Sequence, residues 1–241
     1  QMGMSEAIFE PRAGILLSAS RSERRPAVSI QPMPSPSASP LPEFTRDDLA
    51  RCPVIAESNQ GVVYRVALGD RELAIKTPRN SRATGWAHRL SLRREYAAYC
   101  RLRGLDGIPA CHGLKDGRYL VLDHIEARPF RDTPVDGRFF ERLLITIRGM
   151  HDRGVAHGDL KRKSNLLVDS NGFPVLLDFG AAVIRRDGFH PLNRRLFEFM
   201  RRTDLNAWIK LKYGGYRDIS PADEPLLDRS IPERILSRLR K

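Results

Sequence analysis

Two stretches of the chain concentrate side chains able to do chemistry. The first is His157-Gly158-Asp159-Leu160-Lys161-Arg162-Lys163-Ser164-Asn165-Leu166-Leu167-Val168, and the second, a little further on, is Asp178-Phe179-Gly180. A carboxylate can orient or deprotonate a hydroxyl, carboxylate and amide oxygens are hard ligands suited to magnesium, and ammonium groups offset the charge of phosphate oxygens. These residue types together are what the movement of a phosphoryl group calls for. Singly, each has an ordinary use. A strand-borne lysine such as Lys76 is a solvated cation, a helix glutamate such as Glu95 a surface charge, and Asp178-Phe179-Gly180 a turn at a strand end.

Such residues can meet only if the chain folds back on itself, and the apolar pattern says how. The runs Gly61–Val66 and Arg71–Lys76 alternate, and the Gly69-Asp70 turn between them predicts an antiparallel hairpin. Trp86 to Arg103 carries Leu90, Leu92, Tyr96, Tyr99 and Leu102 at spacings of three and four among strong helix formers, which predicts a helix. Tyr119–Leu122 reads as a buried strand, and Phe139 to Arg153 as a helix with Leu143, Leu144, Ile147 and Met150 on one side. Leu166–Val168 and Pro174–Leu177 flank the turn Asp169-Ser170-Asn171-Gly172, so Asn165 and Asp178 sit at the two ends of one small hairpin. Arg194–Tyr213 and Ile231–Lys241 read as basic helices. Strands first and helices later indicate an α+β fold in two lobes.

The two reactive stretches resemble the catalytic loop and the Asp-Phe-Gly element of the protein-kinase-like superfamily. The resemblance implies a two-lobed fold with an antiparallel-sheet N-lobe and a minimal helical C-lobe. It implies Asp159 as the acceptor-orienting carboxylate, Lys161 as a phosphate counter-charge, and Asn165 and Asp178 as magnesium ligands. In the usual pattern the asparagine is the fifth residue after the aspartate; here the fifth is Ser164 and the sixth Asn165. The interval from Asn165 to Asp178 is the familiar one, which places the extra residue inside the loop and leaves Ser164 as the alternative ligand. Gly158 stands where many regulated kinases have arginine, so switching by loop phosphorylation is not expected. Upstream, Ile55-Ala56-Glu57-Ser58-Asn59-Gln60-Gly61-Val62-Val63-Tyr64 resembles a glycine-rich loop with Ala56, Ser58 and Gly61 at the three glycine positions. Glycine there lets backbone amides come close to phosphate oxygens. Ala74-Ile75-Lys76 matches the kinase lysine strand, with Glu95 on the following helix, at a kinase-like separation, as its ion-pair partner. By the same resemblance ATP would lie against Ile55, Gly61, Val63, Ala74 and Lys76, with Leu122 as gatekeeper and Asp123-His124-Ile125 as the adenine hinge. Asp204 resembles the buried aspartate that steadies the catalytic loop, His157 a core residue near Phe179, and both tryptophans packing groups.

Composition bounds the remaining possibilities. The chain has 241 residues, 41% hydrophobic and 29% charged, within the range of a globular protein and outside that of collagenous, fully disordered or polytopic membrane chains. Its three cysteines, Cys52, Cys100 and Cys111, lack CxxC spacing, which argues against a disulfide framework or a cysteine-rich zinc site and favours a reducing cytoplasm. Residues 1–43, ending in a Pro/Ser tract, read as a disordered leader before an N-lobe at 44–126 and a C-lobe at 127–241. Glu6 and Glu10 occupy what would be the basic front of a signal peptide, so the leader is not read as one. The formal charge of +12 comes mostly from arginine, 34 against 7 lysines, and is compatible with phosphate-bearing partners.

Beyond Gly180 little sequence is left, no Ala-Pro-Glu element occurs, and Asp204 follows Asp178 closely for a kinase. In this the sequence is similar to compact members of the superfamily, such as RIO-type kinases and lipopolysaccharide core sugar kinases. The expected activity is ATP- and Mg-dependent transfer to an acceptor hydroxyl, with a protein Ser/Thr acceptor first and a saccharide acceptor second. A basic tail containing Arg234, Arg238, Arg240 and Lys241 could rest on an anionic membrane, at the inner face of a bacterial one. A pseudokinase acting as an ATP-binding scaffold is a further reading, motivated by the lost glycines and the lengthened loop. A nucleic-acid binder rests on charge alone and is not expected.

Overall fold

Residues 43–57, 61–78 and 85–228 are described by a computed structural model. The expected leader over residues 1–42, Ser58 of the glycine-loop resemblance, and the basic C-terminal helix all lie outside them.

The sheet is built from β1 (Val54–Glu57), β2 (Gly61–Leu68), β3 (Arg71–Pro78), β4 (Cys111–Lys115) and β5 (Tyr119–Asp123), and a short helix α1 (Arg46–Ala50) precedes it. All pairs are antiparallel and the order is β1-β2-β3-β5-β4. The expected hairpin at Gly69-Asp70 is present, with Leu68 opposite Arg71 and Val63 opposite Lys76. Alternation then sorts the side chains. Leu73, Ile75 and Val121 join Leu49 of α1, Phe44, Tyr64 and Tyr119 in an outer cluster. Ala74, Leu120 and Leu122 join the main core on the other face. Lys76, two residues after Ala74 and opposite Leu120, belongs to that inner face.

Helix α2 (Gly85–Arg101) lies against the inner face, and α3 (Gly137–Asp152) and α4 (Pro191–Tyr213) form the helical side. Small strands complete it: β6 (Ala127–Pro129), β8 (Leu166–Asp169) and β9 (Pro174–Leu176) make one sheet, and β7 (Val155–Ala156) pairs with β10 (Val183–Ile184). Asp136 caps α3 by accepting from the Phe139 amide at 3.1 Å, Pro191 opens α4, and Gly214 closes it in the left-handed region. The described residues all fall within one compact unit.

Several details depart from the sequence expectation. Leu90 is exposed, and the buried stripe of α2 is Leu92, Glu95, Ala98 and Tyr99, continued by Leu102 just past the helix end. A charged residue thus occupies a core position, which hydrophobic periodicity does not mark. Trp208 is buried and donates from Nε1 to the Phe140 carbonyl at 2.8 Å, but Trp86 is 67% exposed and is no core residue. The sequence pattern marks none of α1, β1 and β4 as an element, and α1 is too short to show a period. A capping box between Thr45 and Asp48 starts α1, with Leu49 as its one buried contact.

Gly61 has a reason of its own within the sheet. A Cβ there would land on the Thr77 carbonyl of the neighbouring strand, so the glycine is required by strand approach as well as by any ligand above it. Gly61→Ala is expected to destabilise the protein by about 1–3 kcal/mol, read as a fall in the thermal midpoint. An unchanged midpoint would show that the two strands can part without loss.

Candidate active site

Lys76 is the centre of the site. Its Nζ donates to Glu95 Oε2 at 2.8 Å and to Asp178 Oδ1 at 3.0 Å, joining β3, α2 and the segment after β9. Burial alone would lower its pKa, but the carboxylates, Glu95 ahead of Asp178, outweigh it and hold the ammonium above the ordinary lysine value. Burial pushes the Glu95 carboxyl up against the pull of Lys76. At Asp178 burial also raises the pKa, but Lys76 more than offsets it and the carboxyl titrates below the usual aspartate range.

The Asp178 backbone is held in a demanding conformation, with φ 63° and ψ 74°. The Asp178 amide draws the Tyr99 hydroxyl down and the Phe179 amide draws the Glu95 carboxyl down, each against the larger upward push of burial. Phe179 is fully buried, 5.0 Å from the Tyr99 ring and 4.8 Å from His157. Ser91 of α2 donates to the Gly180 carbonyl at 3.4 Å. The helix therefore grips the Asp178-Phe179-Gly180 turn at several points, and the turn aims the Asp178 carboxylate at Lys76.

The loop before β8 is fixed from below. Asp204 of α4, fully buried, accepts from the amides of His157 at 2.8 Å and Gly158 at 2.9 Å, and meets His151 Nε2 at 3.0 Å. This is the placement its sequence position suggests. Sequence reasoning misses His151; it continues the buried stripe of α3 as a polar residue, the one signal that could have marked it. His157 is a core residue, with Nε2 against the Leu177 carbonyl at 3.0 Å. Gly158 has φ +78°, a conformation that disfavours the arginine usual at this position.

Asp159 and Asn165 come together despite the extra residue, which a single 3-10 turn, Lys163–Asn165, absorbs. Asn165 is buried and its Nδ2 donates to the Asp159 carbonyl at 3.1 Å and to Asp159 Oδ2 at 3.4 Å. Ser164 is exposed, with its Oγ 3.4 Å from Asn165 Oδ1. Lys161 is exposed on the same loop, and Arg162 Nε lies 3.7 Å from Asp159 Oδ2.

The surfaces around the lysine follow the sheet register. Val63 faces Lys76 across the β2–β3 ladder and Ala74 faces Leu122, so these three apolar residues share the lysine's face. Ile55 sits at the irregular step of β1 and is 43% exposed. After Leu122, the Asp123 amide donates to the Ala110 carbonyl at 2.9 Å and the His124 amide to the Glu72 carbonyl at 2.8 Å. The Ile125 amide makes no hydrogen bond among the described residues.

Among the described residues no group of three or more His, Cys, Asp or Glu side chains could cage a metal. Magnesium does not require one, since it keeps several waters and takes oxygens from substrate phosphates. Asp178 Oδ2 makes no hydrogen bond among the described residues, and the Asn165 amide oxygen points away from the nitrogen that holds Asp159. The donor set fits a hard cation with few protein ligands.

No family model matches the chain. In three dimensions it is similar to the Rio2 kinase of Chaetomium thermophilum in its ADP/Mg2+-phosphoaspartate complex, with a TM-score of 0.51 over 78% of this chain and 64% of that one, at 16% identity. CBL-interacting protein kinase 25 of Oryza sativa subsp. japonica is 28% identical over 161 residues, 59% of this chain and 31% of that protein. Serine/threonine-protein kinase D of a Synechocystis species is 34% identical over 68 residues, 26% of this chain and 14% of that protein. The fold is protein-kinase-like. In this fold Lys76, Glu95 and Asp178 meet where the sheet joins the helical side, and Asp159 meets Asn165 on the loop before β8. The chain covers less than a third of the length of either curated relative.

The buried pair can be tested without any ligand. Lys76→Met would leave Glu95, 2% exposed, without its counter-charge, and is expected to lower stability by about 3 kcal/mol. Lys76→Met/Glu95→Leu is expected to regain part of that loss, because it removes the stranded carboxyl. Urea denaturation of the three proteins checks both; wild-type stability in Lys76→Met would show that no ion is held there.

Proposed function

We propose that the chain is an ATP- and Mg-dependent phosphotransferase that moves the γ-phosphoryl group to an acceptor hydroxyl, with a protein serine or threonine as the first-choice acceptor. The observation that carries this reading is the convergence of Lys76, Glu95 and Asp178 within 3.0 Å contacts, on elements up to 102 residues apart. Supporting it, Asn165 is hydrogen-bonded to Asp159 on the adjoining loop.

In this reading Lys76, fixed by Glu95, holds the inner phosphates as a point charge. Val63, Ala74 and Leu122 give the apolar wall for adenine, with Ile55 covering it and the Asp123–Ile125 backbone at its edge. Asp178 and Asn165 would hold magnesium, which supplies charge neutralisation on the phosphate oxygens. Asp159 receives the acceptor hydroxyl: its carboxylate orients the O–H and accepts the proton as the acceptor oxygen bonds to the γ-phosphorus and the bond from that phosphorus to the β-phosphate oxygen breaks, with ADP leaving. Lys161, exposed on the same loop, balances charge on the group in transit. Positioning and electrostatics do most of this work, so little covalent chemistry is demanded of the protein. A cytoplasmic setting belongs to the same proposal.

Relatives named as serine/threonine-protein kinases favour a protein acceptor over a saccharide. The fold neighbour carries a phosphoaspartate, which makes an acyl phosphate on this chain the product to distinguish. The test is transfer of label from γ-labelled ATP in cell extract, comparing native protein with Asp178→Ala and Asp159→Ala. Native protein is expected to label protein, with a loss of at least about a hundredfold in each variant. Hydroxylamine strips an acyl phosphate and leaves serine and threonine esters in place. Nucleotide binding with no labelled product from the native protein would overturn the proposal in favour of a nucleotide-binding scaffold.

A further inference from the structure

Among the described residues, α4 carries an apolar surface that the core does not use. Leu192, Leu196 and Phe199, spaced by four and three, share one face of the helix and are 79%, 46% and 62% exposed. Phe189, just before the helix, is 91% exposed. The opposite face of α4 is already buried through Phe197, Asp204 and Trp208, so the exposed stripe is not the helix's contribution to the core. Exposed apolar side chains grouped on one face and rimmed by polar residues mark an interaction surface.

The charge around the stripe indicates which. Between residues 185 and 202 the sequence holds six arginines and two acids. Both acids have arginine partners: Asp187 lies 3.6 Å from Arg101, and Glu198 3.0 Å from Arg201. Arg202 pairs with Asp228 at 3.0 Å, and the Arg185 guanidinium lies over the Phe197 ring. Arg186, Arg194 and Arg195 are exposed and have no carboxylate partner among the described residues. Phenylalanine and leucine on a helix crest with guanidinium groups on its flanks match the boundary of a bilayer, where acyl chains take the apolar groups and lipid phosphates take the cations. Protein hot spots favour tryptophan, tyrosine and arginine near the centre of the interface and under-use leucine; here the centre is leucine and phenylalanine and the arginines lie on the flanks, which makes a protein partner the poorer match.

We propose that Phe189, Leu192, Leu196 and Phe199, with Arg186, Arg194 and Arg195, dock the chain in the plane of an anionic lipid bilayer. No helix among the described residues is long and apolar enough to cross one, so the contact is peripheral. Asp204 of the same helix holds the His157 and Gly158 amides, so docking through α4 tethers the loop of Asp159 to the lipid surface. The proposal is independent of the basic C-terminal tail and stands whether or not the site transfers phosphate.

Sedimentation of the full chain with vesicles tests it. The protein is expected to sediment with phosphatidylcholine vesicles that contain phosphatidylglycerol, to stay in solution with phosphatidylcholine alone, and to be released by high salt. Leu192→Ser/Phe199→Ser is expected to weaken the partition at least about tenfold with an unchanged thermal midpoint. Phe189→Ser, outside the helix, is expected to weaken it too and keeps the test clear of any effect on α4. Wild-type partition in these variants would overturn the proposal, since binding would then belong to the overall basic charge. So would failure to bind either vesicle, or a soluble dimer that Leu192→Ser/Phe199→Ser dissolves, which would make a second copy the occupant of the stripe.

Discussion

The ammonium of Lys76 lies between two carboxylates that the chain brings from 19 and 102 residues away. Glu95 is almost fully buried on α2, and a carboxylate in that position is tolerable only with a cation beside it. The cation is on the central strand β3, with β2 and β5 on either side. The second carboxylate, Asp178, belongs to the helical side of the molecule. One pair of contacts therefore fixes the sheet, its helix and the helical side relative to one another, and leaves the lysine slightly open to solvent at the junction.

The supports around this centre are mostly backbone contacts. Tyr99 and Glu95 feel the amides of Asp178 and Phe179, Ser91 reaches the Gly180 carbonyl, and Asp204 takes two successive amides of the other loop. Side chains that hold backbone leave the neighbouring carboxylates free to face outward. Asp159 and Asp178 remain partly exposed while the residues that place them, Asp204, His157 and Phe179, are fully buried. Buried positioning groups of this kind limit how far the exposed carboxylates can wander.

Much of the arrangement is legible in the sequence, for identifiable reasons. Alternation around Gly69-Asp70 specifies the β2–β3 hairpin, and the turn after Asp169 specifies the β8–β9 hairpin, both local signals. The Lys76, Glu95, Asp159 and Asp178 set is legible because its spacing and order along the chain match a known pattern. Other parts are not. Periodicity places Leu90 on the inner stripe of α2, whereas the structure puts Glu95 there, because an ion pair from another strand compensates a buried charge that no local rule expects. Trp86, expected to pack, is exposed. His151 escapes notice, since a single histidine on a helix gives no sign of the aspartate that it will meet 53 residues later.

By itself the sequence determined the two hairpins, the longer helices and the chemical types available, because turn residues, alternation and helical spacing act over a few residues. Only the tertiary structure decided which charges neutralise one another, why Gly61 must lack a side chain, how the loop absorbs an extra residue before Asn165, and that one crest of α4 stays apolar and uncovered among the described residues. Each of these depends on what a distant segment contributes: a counter-charge, a carbonyl, an amide, or the lack of a covering surface. Such complements are fixed only when folding brings the segments together.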